Sequence, residues 1–154
     1  MPIPTIWGYY ANGLKGVAIE VEVTLPSPSI EGLKYLDRPV EWEDHRSGAS
    51  IEDRVKSIIT SKLKVWEHEH EYRFLTQEED PKQVVGKITG VYFGDPYCGI
   101  ENADEVIAQS SWKESYSGDR AKLTELAMKL GYPCYFSHIA RSGEKWEVTH
   151  RRVG

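Results

Sequence analysis

The stretch KVWEHEHEYRF, residues 64–74, concentrates residue types that can do chemistry: three glutamates, two histidines and an arginine among aromatics. Read as a strand over 66–75, it places Trp66, His68, His70, Tyr72 and Phe74 on one face. Glu67, Glu69, Glu71 and Arg73 fall on the other. Imidazoles two apart on a strand can converge on one metal ion if a further ligand joins them. His45, His138 and His150 are scattered, nothing local supplies that ligand, and no metal is assigned. The first face is read instead as packing, with Trp66, Tyr72 and Phe74 against a helix. On the second face, like charges two apart repel unless cations sit between them. Arg73 can fork to one carboxylate. A partly buried carboxylate beside another has a raised pKa and can serve as a general acid. The competing reading is a solvated charged face balanced by lysines of a neighbouring strand, which is the usual fate of a charge run.

The rest of the chain narrows the chemistry by what it lacks. Neither GxGxxG nor GxxxxGK[ST] occurs, so there is no Gly-rich phosphate loop, and GxSxG is absent too. The cofactor stays unknown on these residues. The two cysteines, Cys98 and Cys134, share no CxxC-like spacing and read as free thiols in a reducing cytoplasm. A net charge of -5 argues against a general nucleic-acid backbone binder; the basic THRRV near the C-terminus reads as a solvated tail. MPIPTIWGYY has no basic flank and no long apolar core, and no apolar run approaches the ~20 residues that span a bilayer. The expectation is a cytoplasmic protein without a membrane segment.

These residues need a scaffold, and 154 residues at 40% apolar suffice for one domain spanning 1–154. GVAIEVEVT (16–24) alternates as a half-buried strand, with Val17, Ile19, Val21 and Val23 on one face. LKYLDRPVEW (33–42) reads as a second strand, with Pro39 at an edge or bulge. Ser50, with Asp53 three residues on, resembles a capping box. It opens a helix to about Lys64 with Ile51, Val55, Ile58, Ile59 and Leu63 on one face. EEDPK (78–82) is a turn and QVVGKITGVYFG (83–94) the most apolar strand. A second helix covers about 119–130, striped by Leu123, Leu126, Ala127 and Leu130 and stopped by Gly131. PCYFSHIA and KWEVTHRR close the chain as a hairpin around a Ser-Gly turn at 142–143. The expected fold is α+β: a mostly antiparallel sheet of about six strands with two helices packed on it.

Four pieces in order carry a resemblance: WGYYANGLKGVAIE (7–20), LKYLDRPV (33–40), KVWEHEHEYRF (64–74) and ITGVYFG (88–94). Together they resemble the bacterial family catalogued as domain of unknown function 2971, over about residues 7–94. The resemblance picks out Trp7, Tyr10, Lys15, Gly16, Glu20, Trp66, Glu69, Glu71, Arg73 and Gly94. It implies that Glu69, Glu71 and Arg73 form a kept constellation; beside them, Trp7, Tyr9, Tyr10, Lys15 and Glu20 are expected as ligand-binding residues. The chain departs from the family pattern at Tyr9, where a histidine is usual; a phenol with a pKa near 10 is a poor base at neutral pH. Family members also carry a sizeable segment before this motif. Strands from such a segment would be missing here, and an uncovered edge invites pairing with another copy, most simply as a homodimer. The family's members look like accessory genes, some near mobile elements or phage-defence loci.

Three functions remain open at this point. One is an oligomeric binding domain, whose Glu69/Glu71/Arg73 face, lined by Tyr9, Tyr10 and Glu20, takes a small polar or nucleotide-like ligand. Another is an enzyme using Glu69 or Glu71 for acid–base or transfer chemistry. The third is an interaction protein whose aromatics are core and interface.

Overall fold

A computed structural model describes residues 4–23, 30–41, 48–75, 86–99, 105 and 113–153, with backbone alone for 4, 5 and 113–117. In chain order the elements are α1 (Pro4–Tyr10), β1 (Val17–Val23), β2 (Ile30–Gly32), β3 (Lys34–Leu36) and α2 (Ile51–Ile59). They continue with β4 (Ser61–Leu63), a 3-10 helix (Lys64–Glu69), β5 (Tyr72–Phe74) and β6 (Gly86–Gly94). The last are α3 (Lys113–Lys129), β7 (Cys134–Ser142) and β8 (Lys145–Val153). The chain divides into two compact units, Met1–Val23 with Gly86–Gly154, and Thr24–Val85.

The first unit is built on one four-stranded sheet in the order β1-β6-β7-β8. An α+β fold is therefore present, but the sheet has four strands and not about six. It is also mixed: β1–β6 and β7–β8 are antiparallel and β6–β7 is parallel. The parallel pair follows from α3, which lies between β6 and β7 in the chain and serves as the crossover that parallel neighbours require. On one sheet face Val91, Phe93 and Cys134 bury with Ala127 of α3, joined by Ile88, Tyr132, Phe136 and Val153. On the other, Trp7 of α1 buries with Ala11 and Leu14 against Tyr92 and Val148. Of the two helices on this sheet, α1 was unforeseen. Pro4 at its first position needs no N–H partner there.

The foreseen helix in this unit starts earlier than 119 and ends as expected. Gly131, at φ +78°, donates to Met128 O and Tyr132 donates to Ala127 O, the two bonds of a Schellman stop. Its stripe is only partly sealed: Ala127 is buried while Leu123, Leu126 and Leu130 stay exposed. The hairpin turn is Gly143-Glu144, one residue later than expected, with Ser142 paired to Lys145 and a positive φ at Gly143. β1 corrects a further expectation. Its alternation is real, since Val17 and Ile19 lie opposite Phe93 and Val91, yet all seven residues are exposed because the strand sits at the sheet edge. Cys98 is an exposed thiol and Cys134 a buried one.

The second unit holds two small strand pairs, β2–β5 antiparallel and β3–β4 parallel. The expected strand over 33–42 is thus short, and 37–41 is not in strand; residue 42 and the turn at 78–82 lie outside the described residues. Ser50 does cap α2, accepting from the Asp53 amide at 3.1 Å and donating to its carboxylate at 2.7 Å. The helix stops at Ile59 and not near Lys64. Thr60 turns its hydroxyl back to Lys56 O, and its own carbonyl accepts from Lys34 N as β3 and β4 begin to pair. None of the α2 residues is buried, so its apolar face is not the core stripe its spacing suggested. Among the described residues no helix is long and apolar enough to cross a membrane.

Candidate functional site

The stretch that carried the sequence argument is not one strand. Residues 64–69 wind into a 3-10 helix that ends at His70 in the left-handed region, φ 47°, and only Tyr72–Phe74 is extended. The two-face division over 66–75 therefore fails. Tyr72, His68 and His70 are exposed, and among the described residues no group of three His, Cys, Asp or Glu could hold a metal ion.

Glu69, Glu71 and Arg73 nevertheless come together, through a residue the sequence reading missed. Lys62 of β4 bonds the Glu69 carboxylate and reaches Glu71 Oε2 at 2.9 Å. Arg73 Nε donates to Glu71 Oε1 at 2.7 Å, and the same guanidinium donates to Ile59 O. Tyr35 OH accepts from the Glu71 amide at 2.8 Å, and Lys62 lies over the Trp66 ring. The Glu69 side chain is 5% exposed. The Arg73 hydrogen bond leads in holding the Glu71 carboxyl below its ordinary value, with burial opposing and Lys62 assisting. A carboxyl held ionised in this way is a poor proton donor. The cluster ties the 3-10 turn to β3, β4 and β5, which is what an internal ion-pair network does.

The other expected site residues lie in the first unit. Trp7, Tyr10 and Glu20 line a cavity of about 450 Å³ between α1 and β1, together with Tyr92 and His150. Lys15 lines a separate cavity of about 450 Å³ with Tyr10, Asp119 and Arg120. Tyr9 is 66% exposed. Gly16 and Gly94 act through the backbone: Gly94 N donates to Gly16 O at 3.0 Å.

The α1–β1 cavity is assembled by the sheet register. Glu20 sits opposite Gly90 and Ala18 opposite Tyr92, and between Glu20 and Val21 the register slips so that Thr89 is the extra residue of β6. Tyr92 OH donates to Glu20 Oε2 at 3.0 Å. Its ring stacks on Tyr135 at 4.7 Å and meets His150 edge-on at 4.8 Å. Behind His150, the Ser137 hydroxyl lies 2.9 Å from Nδ1 and is fully buried. Gly90 keeps room for the acid–phenol pair, since a Cβ there would meet Glu20 Oε2 and the Tyr92 ring at 2.9 Å. Burial, then Glu20, pushes the Tyr92 phenol up, and burial pushes the His150 imidazole down. Both groups are therefore uncharged near neutral pH.

Tyr92 was legible as the residue between Val91 and Phe93, and so on the opposite face. His150 was not. A turn at 142–143 would pair Ser137 with Val148, whereas the true turn, one residue later, slides the ladder by two and sets His150 opposite Ser137. Comparison with family models, curated proteins and solved structures gave no match.

Proposed function

We propose that this chain is a small-ligand-binding protein and that its site is the cavity between α1 and β1. The observation that carries this reading is the built wall of that cavity. A buried Trp7, a Tyr92 ring fixed by stacking and by Glu20, and a His150 backed by Ser137 surround about 450 Å³. That volume is in the range of small-molecule sites, and the mixture of flat rings with few polar groups is what such sites use. A heteroaromatic fragment set that includes nucleosides and nucleotides, screened by amide chemical-shift mapping, tests it. Hits should move the amides of Trp7, Glu20, Tyr92 and His150. Tyr10→Ala should weaken them by about three- to tenfold, the worth of one aromatic wall. Hits that map to other residues, or that ignore Tyr10→Ala, remove the reading.

The carboxylate enzyme keeps less support, because Glu71 is bound by Arg73 and Lys62 and Glu69 by Lys62. The homo-oligomer reading gains one observation: the edge strand β1 exposes Val17, Ile19, Val21 and Val23 by 40–58%. Light scattering at micromolar concentration checks it, and a monomer removes it. The likeness to domain of unknown function 2971 rests on the ordered motifs alone.

A further inference from the structure

The charge of the ligand can be read from the cavity wall. Among the described residues that line the α1–β1 cavity, Glu20 alone carries a formal charge. The remaining side chains are aromatic or aliphatic, apart from His150, whose imidazole is pushed below its ordinary value. Tyr92 donates its hydroxyl to Glu20, and Gly90 leaves the space in which that pair sits, so the carboxylate is oriented within the site. Ring faces carry negative quadrupole potential and attract cations within about 6 Å of the ring centre. An anion placed here would meet a carboxylate and the π faces, with no cationic side chain among the described lining residues to offset them. A neutral body would gain area but would bring no counter-charge to the carboxylate.

We infer that the cavity takes a monovalent organic cation: an amine on a flat apolar body, with its ammonium group against Glu20 and its body among Trp7, Tyr10 and Tyr92. This rests on the small-ligand reading of the same cavity, and adds the sign of the charge to it. The ammonium donates to a carboxylate oxygen, a charge-assisted bond. The rings supply cation–π attraction around it.

Three probes with one ring system separate charge from shape: tryptamine as cation, tryptophol as neutral body and indole-3-acetate as anion. Each is titrated by amide chemical-shift mapping into the full chain. Tryptamine should bind at least about tenfold more tightly than tryptophol, with indole-3-acetate weakest. Glu20→Gln should bring tryptamine to within about twofold of tryptophol measured on the same variant. Glu20 is exposed on an edge strand, so this variant should fold, and its melting temperature confirms that. A second reading needs no variant: raising salt from about 25 to about 250 mM should weaken tryptamine and spare tryptophol. Equal binding of tryptamine and tryptophol overturns the charge inference and leaves the cavity reading standing. So does a tryptamine advantage that survives in Glu20→Gln. If none of the three moves the amides of Trp7, Glu20 or Tyr92, the cavity reading falls, and the charge inference falls with it.

Discussion

Gly94→Ala should cost the first unit about 3 kcal/mol or more, enough to unfold a marginal domain at ordinary temperature. A Cβ at Gly94 would lie 1.9 Å from Leu14 O and 2.5 Å from its carbonyl carbon, and both are backbone atoms that cannot swing aside. Leu14 has little room to retreat. It is buried at 6% exposure, sits at φ 67°, and packs with Trp7 and Ala11. Three successive residues, Asn12, Gly13 and Leu14, hold positive φ to turn α1 back onto the sheet. For a leucine that conformation is strained and must be held by its surroundings. The close approach to Gly94, with Gly94 N bonded to Gly16 O, is part of that surround. Overpacking alone costs about 1–3 kcal/mol, and losing the turn adds to it. Chemical denaturation followed by tryptophan fluorescence measures the result. A loss below about 1 kcal/mol would show that the turn can shift and that Gly94 is not needed for the approach. Because the same turn seats Trp7, ligand binding in the α1–β1 cavity should fall together with stability.

Lys62→Met should open the Thr24–Val85 unit by about 2–4 kcal/mol. Removing one partner of a buried ion pair leaves a charge without compensation, and such losses run to about 3–5 kcal/mol. Glu69 is the buried partner to which this rule applies, with a side chain 5% exposed; Lys62 itself is 18% exposed, which lowers the expected cost. Hydrogen exchange at the amides of residues 61–74 reads the loss locally. Adding Glu69→Gln to Lys62→Met should recover part of it, since the buried carboxylate that lost its lysine is then neutral. No recovery would mean that Lys62 works through its packing on Trp66 and not through the pair. Acid gives an independent arm. The Glu71 carboxyl is held below its ordinary value of 4.5, chiefly by Arg73. The unfolded state therefore takes up protons first as pH falls. The stability from this group is full above about 4.5 and is lost as pH drops through the folded value. Lys62→Met keeps Arg73, so the acid loss should shrink but persist.

Legibility in the sequence followed the range of the interactions. The Ser50 cap and the Gly131 stop involve atoms a few residues apart, and both stand as local chemistry dictates. The alternation of β1 and the apolar character of β6 likewise give strands. The stretch 64–74 misled because alternation of Glu and His satisfies a strand period without any β-branched residue after Val65 to favour one. A 3-10 turn closed by His70 serves the Lys62 ion pairs better. Trp7, Tyr10 and Glu20 were singled out by motif. The structure groups them with Tyr92 and His150.

The sequence by itself determined the α+β character, the caps, the strand and helix periods that lie between turns, and the presence of an acid–arginine cluster in 69–73. Each depends on neighbours along the chain. Only the tertiary structure decided that β6 and β7 run parallel, that β1 lies at an edge with its valines exposed, and that Lys62 closes the cluster. It also decided that Glu20, Tyr92 and His150 share one cavity wall, with Ser137 bonded behind His150. Those facts depend on sheet order and on hairpin register. A turn displaced by one residue slides the paired ladder by two, and nothing in local composition fixes which turn the chain will choose.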